Sequence, residues 1–263
     1  MLVIVPASHA DSGGFDHIQT LRNVEHHTVH SDVVDRDYYV SVRLPNDYDE
    51  NEASYPTIYV LDGGALFPLF AGYLNYLNFA EEVPPIILVG ISYGADNFAD
   101  GNFRGTDYTA PSPEREHYGG AANFLTFLKE DVLPLIEKNY RSDSDRRVVF
   151  GHSLGGQFVL FAAQTDPGAF WGYVASNPAL HRNLDFFLTT TPTQPSKSKL
   201  FVASAEFDDA RFREPAVAWM QHWNQQEELP WSLKTMDLDD HVHMSSPPDA
   251  FRQGMRWLFG SDD

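Results

Sequence analysis

Arg146-Arg147-Val148-Val149-Phe150-Gly151-His152-Ser153-Leu154-Gly155-Gly156 is the stretch on which the reading of this chain turns. Val148 to Phe150 form a short unbroken apolar run, the signature of a strand buried on both faces. A helical pattern follows over Leu154–Gln164, and between the two stands G-x-S-x-G. A sharp strand-to-helix turn forces its serine into a strained backbone conformation. Side chains at the flanking positions would collide with neighbouring backbone, so glycines are expected at 151 and 155. Ser153 then stands at a helix N-terminus, whose free N–H groups favour a developing oxyanion.

Outward from this turn, short apolar runs alternate with longer helical patterns. Strands are expected at Tyr38–Leu44, Thr57–Leu61, Pro85–Ile91, Arg146–Phe150, Gly172–Ala175, Leu200–Ser204 and Trp231–Met236. Pro45 to Asp49 reads as a turn-rich linker that starts the sheet with an antiparallel pair. A helix over Ala121–Tyr140 carries Pro134 as a kink, and Glu214–Gln225 carries Pro215 at its first turn. Asp249–Phe259 is the last helix. Such alternation predicts an α/β sandwich with ligands at the carboxyl ends of the strands.

The 263 residues are 43% hydrophobic and 14% aromatic, which excludes a disordered chain. Thirty-seven acidic against 18 basic residues give a formal net charge of −19. That sign repels phosphate backbones and anionic lipid, so neither nucleic acid nor membrane is an expected partner. So acidic a surface also suits salty water, where self-repulsion is screened. With no cysteine, disulfides, Cys-ligated metal and thiol nucleophiles are excluded. The compartment stays open between cytoplasm and periplasm or secretion, because Met1 to Ala10 has the apolar-then-small pattern of a signal remnant. The domain reading is an N-terminal extension over residues 1–30 and one catalytic domain over 31–263.

A serine hydroxyl needs a base, and the base an orienting carboxylate. Elbow hydrolases carry them in the order Ser, acid, His. Glu206, Asp208 and Asp209 follow the strand Leu200–Ser204, and His241 and His243 follow the strand Trp231–Met236. His26, His27 and His30 lack a supporting carboxylate pattern and read as loop histidines, so no metal site is expected.

At this point the chain resembles the α/β-hydrolase esterases of the esterase D type. That group includes siderophore esterases, feruloyl and acetyl-xylan-type esterases and S-formylglutathione hydrolases. The likeness runs from about Tyr39 to Phe259. It is carried by Tyr55 to Gly63, Arg104 to Thr109, Gly119-Gly120-Ala121, the elbow, His243-Met244-Ser245 and Gly254 to Phe259. It implies an α/β-hydrolase fold: a mostly parallel central sheet, helices on both faces and no large separate lid.

The resemblance selects His243 as base by its spacing to Ser245 and Gly254. It aligns Asp208 with the acid, Glu206 being the alternative, although Ala205 departs from the family's usual glycine. Leu154 N–H is the first oxyanion donor, and Gly64 N–H, in a turn that looks like the His-Gly-x of related hydrolases, is the second. Gly63, Arg104, Asp107 and His181 are the expected substrate-binding residues, with Arg104 and Asp107 also read as a loop-stabilising ion pair.

The expected function is a serine carboxylesterase for short-acyl or aryl esters, with a small-molecule ester as partner, no cofactor and an open oligomeric state. The charge of −19 ranks neutral esters above polyanionic siderophores unless Arg104 or Arg182 offsets it locally. The alternatives are a siderophore esterase or an acyltransferase on the same triad, and a non-catalytic binding protein of the same fold.

Overall fold

The apolar runs condense into one eight-stranded sheet, seen in a computed structural model that describes residues 18–21, 24–192 and 196–260. The strands are β1 (Val24–Ser31), β2 (Arg36–Arg43), β3 (Tyr55–Val60), β4 (Ile87–Ser92), β5 (Ser142–His152), β6 (Gly172–Ser176), β7 (Lys199–Ala205) and β8 (Ser232–Leu238). They lie in the order β1-β2-β4-β3-β5-β6-β7-β8. β1 and β4 both run antiparallel to β2, and every pair from β4/β3 to β7/β8 is parallel.

The helices are α1 (Gly63–Phe79), α2 (Arg104–Asp107), α3 (Ala121–Phe127), α4 (Leu133–Asn139), α5 (Leu154–Thr165), α6 (Leu184–Thr189), α7 (Ala210–Asn224) and α8 (Pro247–Phe259). Successive strand residues point to opposite faces, which divides the core in two. Val148 and Phe150 pack with Phe70 and Leu74 of α1 and with Phe251 and Met255 of α8. Val149 packs with Phe124 of α3, Phe158 of α5 and Trp219 of α7. This is the expected α/β-hydrolase fold, with helices on both faces.

Several expectations change. β2 does not pair with β3: β4 lies between them, and the antiparallel start is the β1/β2 ribbon. Among the described residues the first strand starts at Val24, inside the stretch read as an extension, and β1 registers residue by residue on β2. Met1 to Ala10 lies outside the described residues. α1 starts at the Gly63-Gly64 pair, which reads as a turn, and runs to Phe79 through a span in which no helix is expected. The helix over Ala121–Tyr140 runs to Asn139 with a π-turn at Leu128–Val132, and Pro134, lacking an N–H, is the second residue of α4. α7 starts at Ala210, capped by Asp209, so Pro215 lies inside it rather than at its first turn. Among the described residues no helix is long and apolar enough to cross a membrane.

Candidate active site

β5 ends at His152 and α5 starts at Leu154, leaving Ser153 to make the whole turn. Its backbone sits at φ 58° and ψ −115°, a region that L residues rarely occupy. The turn is pinned by Ser153 N donating to Ser176 O at 2.9 Å and by Ser153 O accepting from Gln157 N and Ala179 N, both at 3.0 Å. A Cβ on Gly151 would lie 2.2 Å from Gly155 O, so position 151 admits only glycine. Gly155 is not crowded in the same way, since a Cβ there would meet nothing nearer than 3.5 Å. The second tight glycine is Gly156, 2.9 Å from Ser176 O by the same measure. Leu154 opens α5, so its N–H has no intrahelical acceptor.

The loops after β7 and β8 are zipped together, Glu206 N donating to Leu238 O at 3.0 Å and Phe207 N to His241 O at 2.8 Å. That zip brings Asp208 beneath His243, whose Nδ1 lies 2.7 Å from Asp208 Oδ2. Asn177 Nδ2 donates to the same oxygen at 2.9 Å. The Asp208 side chain is 1% exposed and its Oδ1 has no partner among the described residues. The other candidates point elsewhere: Glu206 accepts from Asp240 N at 3.2 Å, and His241 Nδ1 donates to Asp239 O at 2.7 Å. Ser153 and His243 face the same carboxyl edge without a hydrogen bond between them, while the His152 and His243 rings pack at 4.6 Å. Catalytic hydrogen bonds in unliganded sites are commonly this loose.

The third wall is the turn after β3. Asp62 takes a left-handed conformation (φ 54°) and starts α1, its carbonyl accepting from Ala65 N and Leu66 N at 3.0 Å. The Gly64 N–H, in the same first turn, has no intrahelical acceptor. Gly63 is buried, and a Cβ there would lie 2.5 Å from Ile91 N, so it packs closely on β4. Gly64 is exposed and lines a hollow of about 330 Å³ with Asp62, Ser92 and Asp96. A neighbouring hollow of about 470 Å³, also touching Asp96, is lined by Phe98, Asn102, Arg104, His117 and Leu154.

Arg104 and Asp107 do not pair. Arg104 binds Asp62 through Nε and Nη2 at 2.8 and 2.9 Å. Asp107 is buried, taken by Arg36 Nη1 at 2.9 Å, Tyr38 OH at 2.7 Å and Tyr93 OH at 3.2 Å. Burial raises its carboxyl above the usual range, with those donors pulling the other way. It is a loop anchor and not a cleft residue. His181 stands edge-on to Phe212 at 5.0 Å, and its Nδ1 is buried without a partner. His26, His27 and His30 bond to Ser41, Tyr140 and Asp37 respectively.

Sequence reading missed Asn177, His152 and Phe212. Asn177 left one signal, a polar residue directly after a fully buried strand, where an open α/β sheet gathers its site.

An elbow serine on β5, with an acid two strands along and a histidine three, is the layout of an α/β-hydrolase. Residues 31–245 match the family model described as putative esterase, and the chain belongs to that family. It is 34% identical over 195 residues to the ferri-bacillibactin esterase BesA of Bacillus subtilis, covering 68% of this chain and 66% of that protein. To the apo-salmochelin esterase of Escherichia coli it is 32% identical over 171 residues, covering 61% and 52%. The chain thus spans between about half and two thirds of the length of these curated relatives. Among solved structures, the BES protein of Bacillus cereus superposes with a TM-score of 0.78 at 26% identity, covering 91% of this chain and 95% of that one.

Proposed function

We propose that the protein is a serine carboxylesterase in which Ser153 is the nucleophile, His243 the general base and Asp208 the acid. The observation that carries the reading is the 2.7 Å contact between Asp208 and His243 at the same sheet edge as a serine held at φ 58°. In the first step Ser153 Oγ attacks the ester carbonyl and His243 Nε2 takes its proton. Asp208 keeps the Nδ1 proton in place and stabilises the imidazolium. The N–H groups of Leu154 and Gly64 receive the oxyanion, each such donor being worth about 10²–10³ in rate. His243 then protonates the departing alcohol, and water releases the acyl group by the same route.

The substrate is a siderophore ester. The support is the pair of relatives, one named for ferri-bacillibactin and the other for apo-salmochelin, which reverses the ranking drawn from charge alone and leaves the iron state to the charge argument. Charge still selects between forms. Arg104 is engaged by Asp62 and Arg182 by Glu114 at 3.2 Å, so neither is free to offset a highly anionic ferric complex. The iron-free siderophore is therefore the better substrate.

Turnover of bacillibactin with and without iron, beside p-nitrophenyl acetate and with Ser153→Ala as control, tests both parts. Hydrolysis of the iron-free form at the higher kcat/KM is expected. Hydrolysis of p-nitrophenyl acetate alone would return the protein to the short-acyl esterases. Absence of fluorophosphonate labelling at Ser153 in the folded protein would end the esterase reading.

A further inference from the structure

A hydrogen bond to one carboxylate oxygen fixes the position of His243 Nδ1 but leaves the plane of the ring to be set by something else. Asp208 supplies only Oδ2. Two other rings touch the imidazole. Phe212 stacks on it with centroids 4.8 Å apart and planes 29° apart. His152 packs on it at 4.6 Å and 53°.

Both rings sit on rigid backbone. Phe212 is in the first turn of α7, four residues after Asp208, with Phe212 N donating to Asp209 O at 2.8 Å. Its own ring is held by the Arg211 guanidinium 4.4 Å from its centroid and by the edge of His181. His152 is the last residue of β5, paired with Ser176 in the sheet and with Ser176 Oγ through Nδ1 at 3.1 Å. It is 7% exposed, and its Nε2 is buried with no partner among the described residues. An unpaired polar atom at that depth costs stability.

We infer that Phe212 and His152 are positioning residues, a pair of rings that fixes the plane of the His243 imidazole and so aims its Nε2 at Ser153. The inference rests on the proposed roles of Ser153 and His243. One ring comes from the helix that follows the acid and the other from the residue before the nucleophile, so the three catalytic positions are tied through side-chain contacts as well as through the sheet. Burial, with His243 and Arg104 adding to it, pushes the His152 imidazole down to about 3. His152 therefore stays neutral at ordinary pH and places no second cation beside the charge that forms on His243.

The test compares Leu with ring-bearing replacements: His152→Leu against His152→Phe, and Phe212→Leu against Phe212→Tyr. Each variant is first checked for a cooperative thermal transition. The Leu variants are expected to lose about 10-fold or more in kcat with KM unchanged within about 2-fold, because a misaimed base is lost chiefly in the transition state. The ring-bearing variants should recover to within about 3-fold of wild type. NMR of protein carrying ¹³C-labelled histidine reads the ring directly, with His243 ordered in wild type and averaged in the Leu variants. Equal kcat in Leu and ring-bearing variants, or an ordered His243 ring in both Leu variants, overturns the inference. If wild type turns over no ester, the catalytic reading falls, and the NMR comparison still decides whether the two rings hold His243.

Discussion

Arg104 and Asp62 lie 42 positions apart in the chain and form a two-pronged ion pair, with contacts of 2.8 and 2.9 Å. The pair joins the first residue of α2 to the residue that starts α1, and so braces the turn that carries Gly64. Their side chains are 32% and 19% exposed, which tempers the electrostatic gain through solvent screening. Arg104→Gln and Asp62→Asn should each lower kcat by roughly 10-fold as the Gly64 N–H loosens. In a double-mutant cycle the two losses should couple by about 1–2 kcal/mol. Strict additivity would mean that the pair does not act through Gly64.

The acid is decided by three substitutions. Asp208→Asn should cut kcat by about 10³–10⁴, the scale on which a triad fails when its imidazole tautomer is wrong. Glu206→Gln should stay within about 2-fold of wild type, because Glu206 serves only the Asp240 N–H. Asn177→Ala should fall between them, since it removes one of the two donors on Asp208 Oδ2. A silent Asp208→Asn beside a damaging Glu206→Gln would move the acid to Glu206.

For the base, His243→Ala should abolish turnover, whereas His241→Ala should leave most of it, because the His241 ring is spent on Asp239 O. The p-nitrophenyl acetate rates of the two variants read this directly. The reverse pattern would shift the assignment by two residues.

Ser153→Gly should yield an inactive protein that is harder to unfold. Serine at φ 58° and ψ −115° stores strain that glycine does not feel, of order 1–3 kcal/mol. Part of that gain is offset by the greater freedom of glycine in the unfolded chain, leaving a net of about 1 kcal/mol. Urea unfolding at pH 7 measures it. A lower midpoint for Ser153→Gly would mean that the elbow is unstrained.

His152 sets a pH dependence of stability. Its folded-state value is about 3 against 6.5 unfolded, so the unfolded chain takes up a proton that the folded one refuses. The contribution is whole above pH 6.5 and is lost progressively as the pH falls toward 3, by up to about 1.4 kcal/mol per pH unit. His152→Phe should flatten the fall in unfolding free energy between pH 6.5 and 4.5. Parallel curves for the two proteins would show that His152 titrates normally.

The elbow is legible in the sequence because its determinants are local: an apolar run, a tight turn and a helix start lie within eleven residues. Asp208 and His243 are legible for the same reason, each standing just past a recognisable strand. α1 is not. Its seventeen residues carry no charge and are apolar nearly all round, so no polar face marks the 3.6-residue period, and Gly63, Gly64 and Pro68 look like a loop. β1 hides for the opposite reason, as an edge strand whose side chains are largely exposed and polar. For Asp107 and Asn177 it is the partners that escape local reading: Arg36 and Asp208 lie 71 and 31 positions away.

The hollow beside Leu154 is walled by Asp96, Asn97, Phe98 and Asn102, all within the connection from β4 to α2. Ser153, Asp208 and His243 stand on the connections after β5, β7 and β8. One wall of that hollow is thus written in one contiguous stretch, with Arg104, Gly105, His117 and Leu154 completing it, and the proposed catalytic residues lie on three other connections. Residues 95–103 can be exchanged for a relative's loop as a single cassette, provided that Arg104 and its bond to Asp62 are kept. Such an exchange alters the wall of the hollow and leaves Ser153, Asp208 and His243 on their own connections, outside the exchanged stretch.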